Sequence, residues 1–439
     1  MNFTTDYRLE NFILQTQWAD IPAPVQERLR GCMLDLLGAL VAGSGSGQFA
    51  AGLALARRAF RSGDIAVIGA ADTFDFLGAS AAMGHASNAY DNDDGHNIIR
   101  AHPGTSFIGG LLAAGYECDL NAQDFLAALY VSYETTIRMG EAIMDYYQYA
   151  HSSGTFGAVG VAAGAGRIYG LDRAALNNIL SIAEFNAPLV PGIRSVEYPS
   201  MNKDGVPFGV MIGALALLAD QCGFTGNKHL LEADEYRRYL DDLGQNHEVM
   251  ALYFKPYPCC RWGHPAIDAC LALMAEHHVT AQDIKSVTVE TFYKATQLSK
   301  GIPSCADAAQ YNIAYPVAAA IVNNGFSIQQ VENTNDDAVI DMMGRLSFVC
   351  DPELDAQFPA RRLCRAAMVL KDGRRIVSDV HEPRGEACEN IGYDWLADKF
   401  HRITAHRLTS PQQEVFIQRL HNDDWTVRQL ISQVNAALL

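Results

Sequence analysis

The chain has 439 residues, of which 49% are hydrophobic and 19% charged, enough apolar material for more than one core and too much for a disordered protein. A formal net charge of −17 excludes a general nucleic-acid binder, which needs basic surface, although a few clustered cations can still hold an anionic substrate. Ten cysteines without a CxxC pair or a zinc spacing, no signal-peptide pattern in Met1–Asp6 and no membrane-length apolar run predict a cytoplasmic protein with reduced thiols.

From the start to about residue 265 the pattern is helical. Pro22 and Pro24 suit a first helical turn, and Val25, Leu29, Cys32, Met33, Leu36, Leu37 and Leu40 then recur at helical spacing. Further helices are predicted over 74–90, 104–118, 122–145, 155–169, 172–187 and 206–221. The Gly/Ala-rich stretch from Gly157 to Gly170 permits close helix contacts; it is no phosphate loop, because no Gly-Lys-Ser/Thr follows and no strand precedes it. After His264 one more helix leads into strands at Val287–Phe292 and Arg345–Cys350. Cys364–Leu370 and Ile376–Val380 then form a hairpin across Lys371-Asp372-Gly373-Arg374. Residues 393–439 return to helix, with Ser410-Pro411 opening one segment and Asp424 expected to cap the last. The expected fold is mainly α: an all-helical domain, 1–266 and 396–439, with an inserted smaller α+β lid domain, 267–395.

Polar groups gather in five places. Asp91-Asn92-Asp93-Asp94-Gly95-His96, running on to His102-Pro103-Gly104, puts carboxylates beside imidazoles, an arrangement for proton transfer, for metal binding, or for a merely solvated loop. It is not an EF-hand, since the twelfth position from Asp91 is His102 rather than Glu. His151, ahead of a helix start, is favoured as the neutral imidazole and can act as a base; the alternative is a capping loop, with Ser153 or Thr155 as cap. Lys203 stands at the mouth of the most apolar helix, where it can hold a carboxylate, or is a surface lysine. Phe254–His264 brings Lys255, Arg261 and His264 together with rigid prolines at the inferred domain junction, a preferred place for a small-molecule site. Its Cys259 and Cys260 read as structural thiols more readily than as nucleophiles. Tyr311 and Tyr315, spaced to share one helical face, offer a proton donor or simple core packing.

The ordered set of segments resembles the MmgE/PrpD family over nearly the whole chain. The residues that carry this are His85-Ala86-Ser87-Asn88-Ala89-Tyr90-Asp91-Asn92-Asp93-Asp94, His102-Pro103, Tyr133-Glu134 with Arg138, and His151 before Thr155-Phe156-Gly157. They continue through Met201-Asn202-Lys203, Lys255-Pro256-Tyr257-Pro258, and Ala309-Gln310-Tyr311 with Tyr315. The resemblance implies a helical domain with an α+β lid, a homodimer, and catalysis without metal or organic cofactor. It also implies a cleft containing Asp91, His102, His151, Lys203, Lys255 and Tyr315. Against the family's cis-aconitate decarboxylase pattern, the stretch from Asp91 to His102 is one residue longer, and Cys260 stands in place of a histidine.

The expected function is therefore a metal-free lyase that dehydrates a small β-hydroxy polycarboxylate of the 2-methylcitrate kind. His102 or His151 would be the base, Asp91 would orient a histidine, and Tyr315 or the other histidine would be the acid. Lys203, Lys255, Arg261 and His264 would bind substrate carboxylates. Decarboxylation of a cis-aconitate-like acid and epimerisation of an iminodisuccinate-like acid remain open. So do a metal-dependent hydrolase using Asp91, Asp93, Asp94, His96 and His102, and a non-catalytic dimer that binds an acid. The expected partners are a small anionic carboxylate and a second copy of the chain, with neither nucleic acid nor membrane.

Overall fold

The computed structural model describes residues 1–147 and 152–439, so His151 lies outside the described residues. The fold is mainly α. Helices α1 (Arg8–Gln15), α2 (Ala23–Gly43), α3 (Gly47–Ala59), α4 (Phe76–Ser87), α5 (Thr105–Glu117) and α6 (Ala122–Tyr147) open it. They are followed by α7 (Ser153–Ile168), α8 (Arg173–Asn186), the short α9 (Ile193–Glu197) and α10 (Val206–Gln221). Helix α7 lies among α5, α6, α8 and α10, and α4 packs against α2, α3, α5 and α10. Helices α4, α5 and α7 are buried on nearly every side and carry small and apolar residues all round, as elements inside a bundle must. Small residues let them approach: a Cβ added at Gly209 on α10 would stand 2.3 Å from the carbonyl oxygen of Gly154 on α7.

Beyond residue 256 come α11 (His264–His277), strand β5 (Ile284–Thr291) and the short helices α12 (Tyr293–Thr296), α13 (Ala306–Gln310), α14 (Ala314–Asn323), α15 (Ile328–Glu332) and α16 (Asp337–Met343). Strand β6 (Leu346–Cys350), α17 (Pro352–Asp355), β7 (Cys364–Leu370) and β8 (Arg375–Val377) follow. The sheet runs β6-β5-β7-β8, parallel between β5 and β6 and antiparallel elsewhere. Helices α11 and α14 pack together, and α11 lies on β7. The chain then returns through α18 (Tyr393–Thr404), α19 (Ser410–His421) and α20 (Val427–Leu438), the first two on α2 and the last on α5. One apolar core joins residues from Leu9 to Phe254 with Leu396 to Val434, and a second gathers Tyr257 to Ile376 around the sheet. Among the described residues no single helix is long and apolar enough to cross a membrane.

Three sequence expectations change. The stretch before residue 265 is not purely helical: Ser62–Ala66 (β1) pairs with Thr73–Phe74 (β2), and Asp94–His96 (β3) pairs antiparallel with Leu252–Phe254 (β4). Pairs this short leave almost no alternating pattern to read. Tyr311 and Tyr315 do not share a helix, because α13 ends at Gln310 and the Asn312 side chain accepts the Tyr315 amide to start α14. The last helix is capped by Thr426 rather than Asp424, its hydroxyl accepting the Gln429 amide in a capping box.

Candidate active site

Strand pairing builds the site. Asp94 lies opposite Phe254 and Gly95 opposite Tyr253, so the acidic segment that follows α4 is laid beside Lys255, 164 positions away in sequence. Gly95 is required there: an added Cβ would fall 2.2 Å from the Tyr253 ring. Asp91, Arg100 and Lys203 all hold positive φ, at 50°, 52° and 41°, a conformation that non-glycine residues keep only when their surroundings impose it.

His102 stands at the centre. Its Nδ1 is 3.0 Å from Asp93 Oδ2, and its Nε2 faces Asp91 Oδ1 at 3.4 Å and Asp204 Oδ2 at 3.6 Å. Its backbone amide donates to the Ser153 hydroxyl at 2.9 Å, so Ser153 positions His102 rather than capping α7. Thr155 does not cap either; its hydroxyl donates to the Pro188 carbonyl. Asp93 is wholly buried and also accepts from Thr105 Oγ1 at 2.7 Å and Asn88 Nδ2 at 3.3 Å, which holds the carboxylate in place. Burial and Lys255 disfavour a charged His102, yet Asp93 and Asp91 outweigh them and raise its pKa to about 9. His102 is therefore an imidazolium at neutral pH.

Lys255 Nζ donates to Asp91 Oδ1 at 2.6 Å and lies 3.5 Å from His102 Nε2. Burial opposes its charge, but Asp91, with Tyr253 and Asp93, holds its pKa above the ordinary lysine value. Asp204 accepts from the Tyr311 hydroxyl at 3.4 Å. Burial raises the pKa of Asp204, His102 opposes this, and Asp91 adds to it. Behind the site, Asp94 accepts the Gly104 amide at 3.0 Å and the Tyr133 hydroxyl; burial and Asp93 push its pKa up to about 7.

Asp91, His102, Asp204, Lys255 and Tyr311 face a cleft of about 370 Å³, together with Cys260 and Arg261. Oxygen and nitrogen atoms of Asp91, His102 and Asp204 lie within 4.8 Å of one another, close enough to surround a cation. Lys255 already supplies a positive charge at that point, hydrogen-bonded to Asp91.

Other expected site residues stand elsewhere. Lys203 is buried behind the cleft, donating to the Ala89 carbonyl and to Gln310 Oε1 at 2.7 Å, with Asp307 at 3.5 Å. It clasps two segments of the site and does not line the cleft. The Tyr315 hydroxyl is turned away and donates to the Gln330 and Asn333 carbonyls; Tyr311 takes the place at the cleft. His264 is fully buried against the Cys259 carbonyl at 3.0 Å, and burial holds its pKa well below the ordinary value, so it is a neutral structural imidazole. Arg138 fastens the segment before β4 to α6, through Glu134, Asp242 and the Tyr239 and Asn246 carbonyls. His96 lies 3.6 Å from Glu248, away from His102. Sequence reasoning passed over Asp204, which follows Lys203 directly, and Arg362, whose loop carries no local signal.

Fold and site together define a mainly helical protein in which carboxylates, an imidazole and a lysine meet in one cleft. The chain belongs to the MmgE/PrpD family: residues 7–242 match its N-terminal domain and residues 257–423 its C-terminal domain. That membership places it with dehydratase-type and related enzymes. No curated protein matches the chain.

Proposed function

We propose that the protein is a lyase that dehydrates a small β-hydroxy polycarboxylate by removing a proton from the carbon next to a carboxylate. The observation that carries this is the meeting of a fixed cation and an acid–base pair in one cleft: Lys255 on Asp91, and His102 between Asp93 and Asp204.

Lys255 holds a substrate carboxylate and stabilises the negative charge that grows on it as the neighbouring carbon loses its proton. Asp204, made more basic by burial, takes that proton. His102 gives its Nε2 proton to the departing hydroxyl, which leaves as water, and the substrate becomes an alkene. Asp204 lies 3.6 Å from Nε2, so the abstracted proton returns to the imidazole and the cycle closes. Acid and base face the same space, so both transfers take place on one face of the substrate. Asp93 keeps the imidazole oriented and charged. Of the two roles the sequence left open for His102, base or acid, the two carboxylates around the ring favour the acid. We further propose that a homodimer in the cytoplasm performs this reaction without a metal.

Full-length protein incubated in D₂O with hydroxy-polycarboxylates and their alkenes, followed by proton NMR, tests the reaction. Deuterium at the carbon next to a carboxylate is expected, and neither exchange nor turnover across the panel overturns the proposal. Excess EDTA is expected to leave the rate unchanged; stoichiometric bound metal with loss of activity on chelation would turn the reading to a metal-dependent hydrolase.

A further inference from the structure

The far end of the cleft carries more positive charge than its neighbours neutralise. Arg261 is only 4% exposed, and its guanidinium lies over the Tyr253 ring at 3.6 Å. Its carboxylate partner is Glu386 at 2.5 Å, while Nε and Nη1 meet no acceptor. Arg362 lines the same space at 7% exposure and has no hydrogen bond or ion pair among the described residues. Arg100 and Lys294 add two further cations at the rim. Of the two buried guanidiniums, only Arg261 thus has a carboxylate partner. An uncompensated buried charge is costly, so such an arrangement is one that an incoming anion relieves. Burial above all, with Arg261 and Arg100 also opposing, disfavours the Arg362 charge.

The position relative to the reacting end follows from β4. Tyr253 and Lys255 are two residues apart on an extended segment and so face the same side, which puts Arg261, above the Tyr253 ring, in the same cleft as Lys255. The same cleft has an apolar lining, with Trp262 set edge-on to Phe358 at 6.1 Å and Val196 packed with them.

We propose that Arg261 and Arg362 anchor a second carboxylate of the substrate, so that the cleft takes extended dicarboxylates whose apolar middle lies on Trp262 and Phe358. This deepens the lyase proposal and rests on it for the position of the reacting end at Lys255. Glu386 holds Arg261 in place without neutralising Arg362, and the planar guanidinium pair suits a carboxylate's two oxygens.

Calorimetric titration of the full-length protein with succinate, glutarate and adipate, and with monocarboxylates of the same length, tests the anchor without requiring turnover. At least one dicarboxylate is expected to bind roughly tenfold or more tighter than its monocarboxylate, and Arg362→Gln to abolish most of that preference. Melting curves guard against misfolding: Arg362→Gln removes an unpaired charge and is expected to melt at or above the wild-type temperature. A wild-type protein without dicarboxylate preference overturns the anchor, as does Arg362→Gln that keeps the preference, or that loses it together with its fold while Arg261→Gln folds and keeps it. Inorganic phosphate is titrated alongside; if it competes with the dicarboxylates and binds more tightly than any of them, the site is a phosphate site and the proposal fails. Deuterium exchange at the reacting carbon is read separately, so loss of the lyase reaction and loss of the anchor give different results.

Discussion

His102 carries its proton because carboxylates at 3.0 and 3.4 Å outweigh the burial and the lysine that would remove it. Its folded-state pKa of about 9 lies above the ordinary 6.5, so this ion pairing contributes stability in full below about pH 6.5 and loses it as pH rises through about 9. Melting temperatures taken from pH 6 to 10 are expected to fall across that window, and to fall less for His102→Asn. The proposed dehydration needs the same proton, so kcat/KM is expected to decline above about pH 9. Asp93→Asn withdraws the main partner of Nδ1, lowers the His102 pKa and moves the alkaline limb to lower pH; an unmoved limb would separate Asp93 from the acid. Replacing His102 itself by Ala is expected to cost roughly 10²–10⁴-fold in kcat. Cys260 lines the same cleft, but burial, with Asp91 adding to it, raises its pKa to about 12, so it remains a thiol. Iodoacetamide at pH 8 is expected to modify exposed Cys222 and Cys305 and to spare Cys260, as read by peptide mass spectrometry.

Helix α18 joins the last part of the chain to α2 through one stripe of that helix. Gly31, Asp35 and Gly38 lie at helical spacing, and Cβ atoms added at the two glycines would stand 2.6 Å from Leu396 and 2.9 Å from Ile403. Between them Asp35 meets Lys399 at 2.5 Å, both side chains buried. Burial pushes the Asp35 pKa up to about 6 even with the lysine opposing it, which shows how much the pair depends on its partner. Lys399→Met strands the carboxylate and is expected to cost about 3–5 kcal/mol in chemical denaturation. Adding Asp35→Leu to it should recover most of that loss, because the stranded charge is gone. A single mutant as stable as the parent would mean that the pair does not hold α18 in place.

At the scale of the molecule, the outer side of α10 and its surroundings expose Phe185, Tyr198, Met201, Phe208 and Leu215, large apolar side chains that a solitary chain would leave in water. Phe208 and Leu215 are seven apart on one helix and share its face. This is the surface we assign to the proposed homodimer. Light scattering at micromolar concentration is expected to give twice the chain mass of 47.9 kDa, and Phe208→Glu with Leu215→Glu to give the single mass. A wild-type monomer would remove the dimer from the proposal.

Helices long enough to show three or more turns of apolar spacing were legible within three residues at each end, because burial on one face repeats every three to four positions. So were β5, β6 and the Asp-Gly hairpin, and Asp91, His102 and Lys255, singled out by residue types that are costly to bury unpaired, do meet in one cleft. Periodicity could not reveal β3 and β4, three residues each, yet their pairing is what carries Lys255 to Asp91. Nor could spacing decide which tyrosine faces the cleft: Asn312 restarts the helix between them and turns the Tyr315 hydroxyl onto backbone carbonyls. The direction of His102's proton was likewise beyond the sequence, since it depends on Asp93 at one ring nitrogen and on Asp91 and Asp204 at the other. Sequence determined which residues can do proton chemistry, through their side-chain types; the tertiary structure decided which of them stand together, because charge acts over a few ångströms of space and not along the chain.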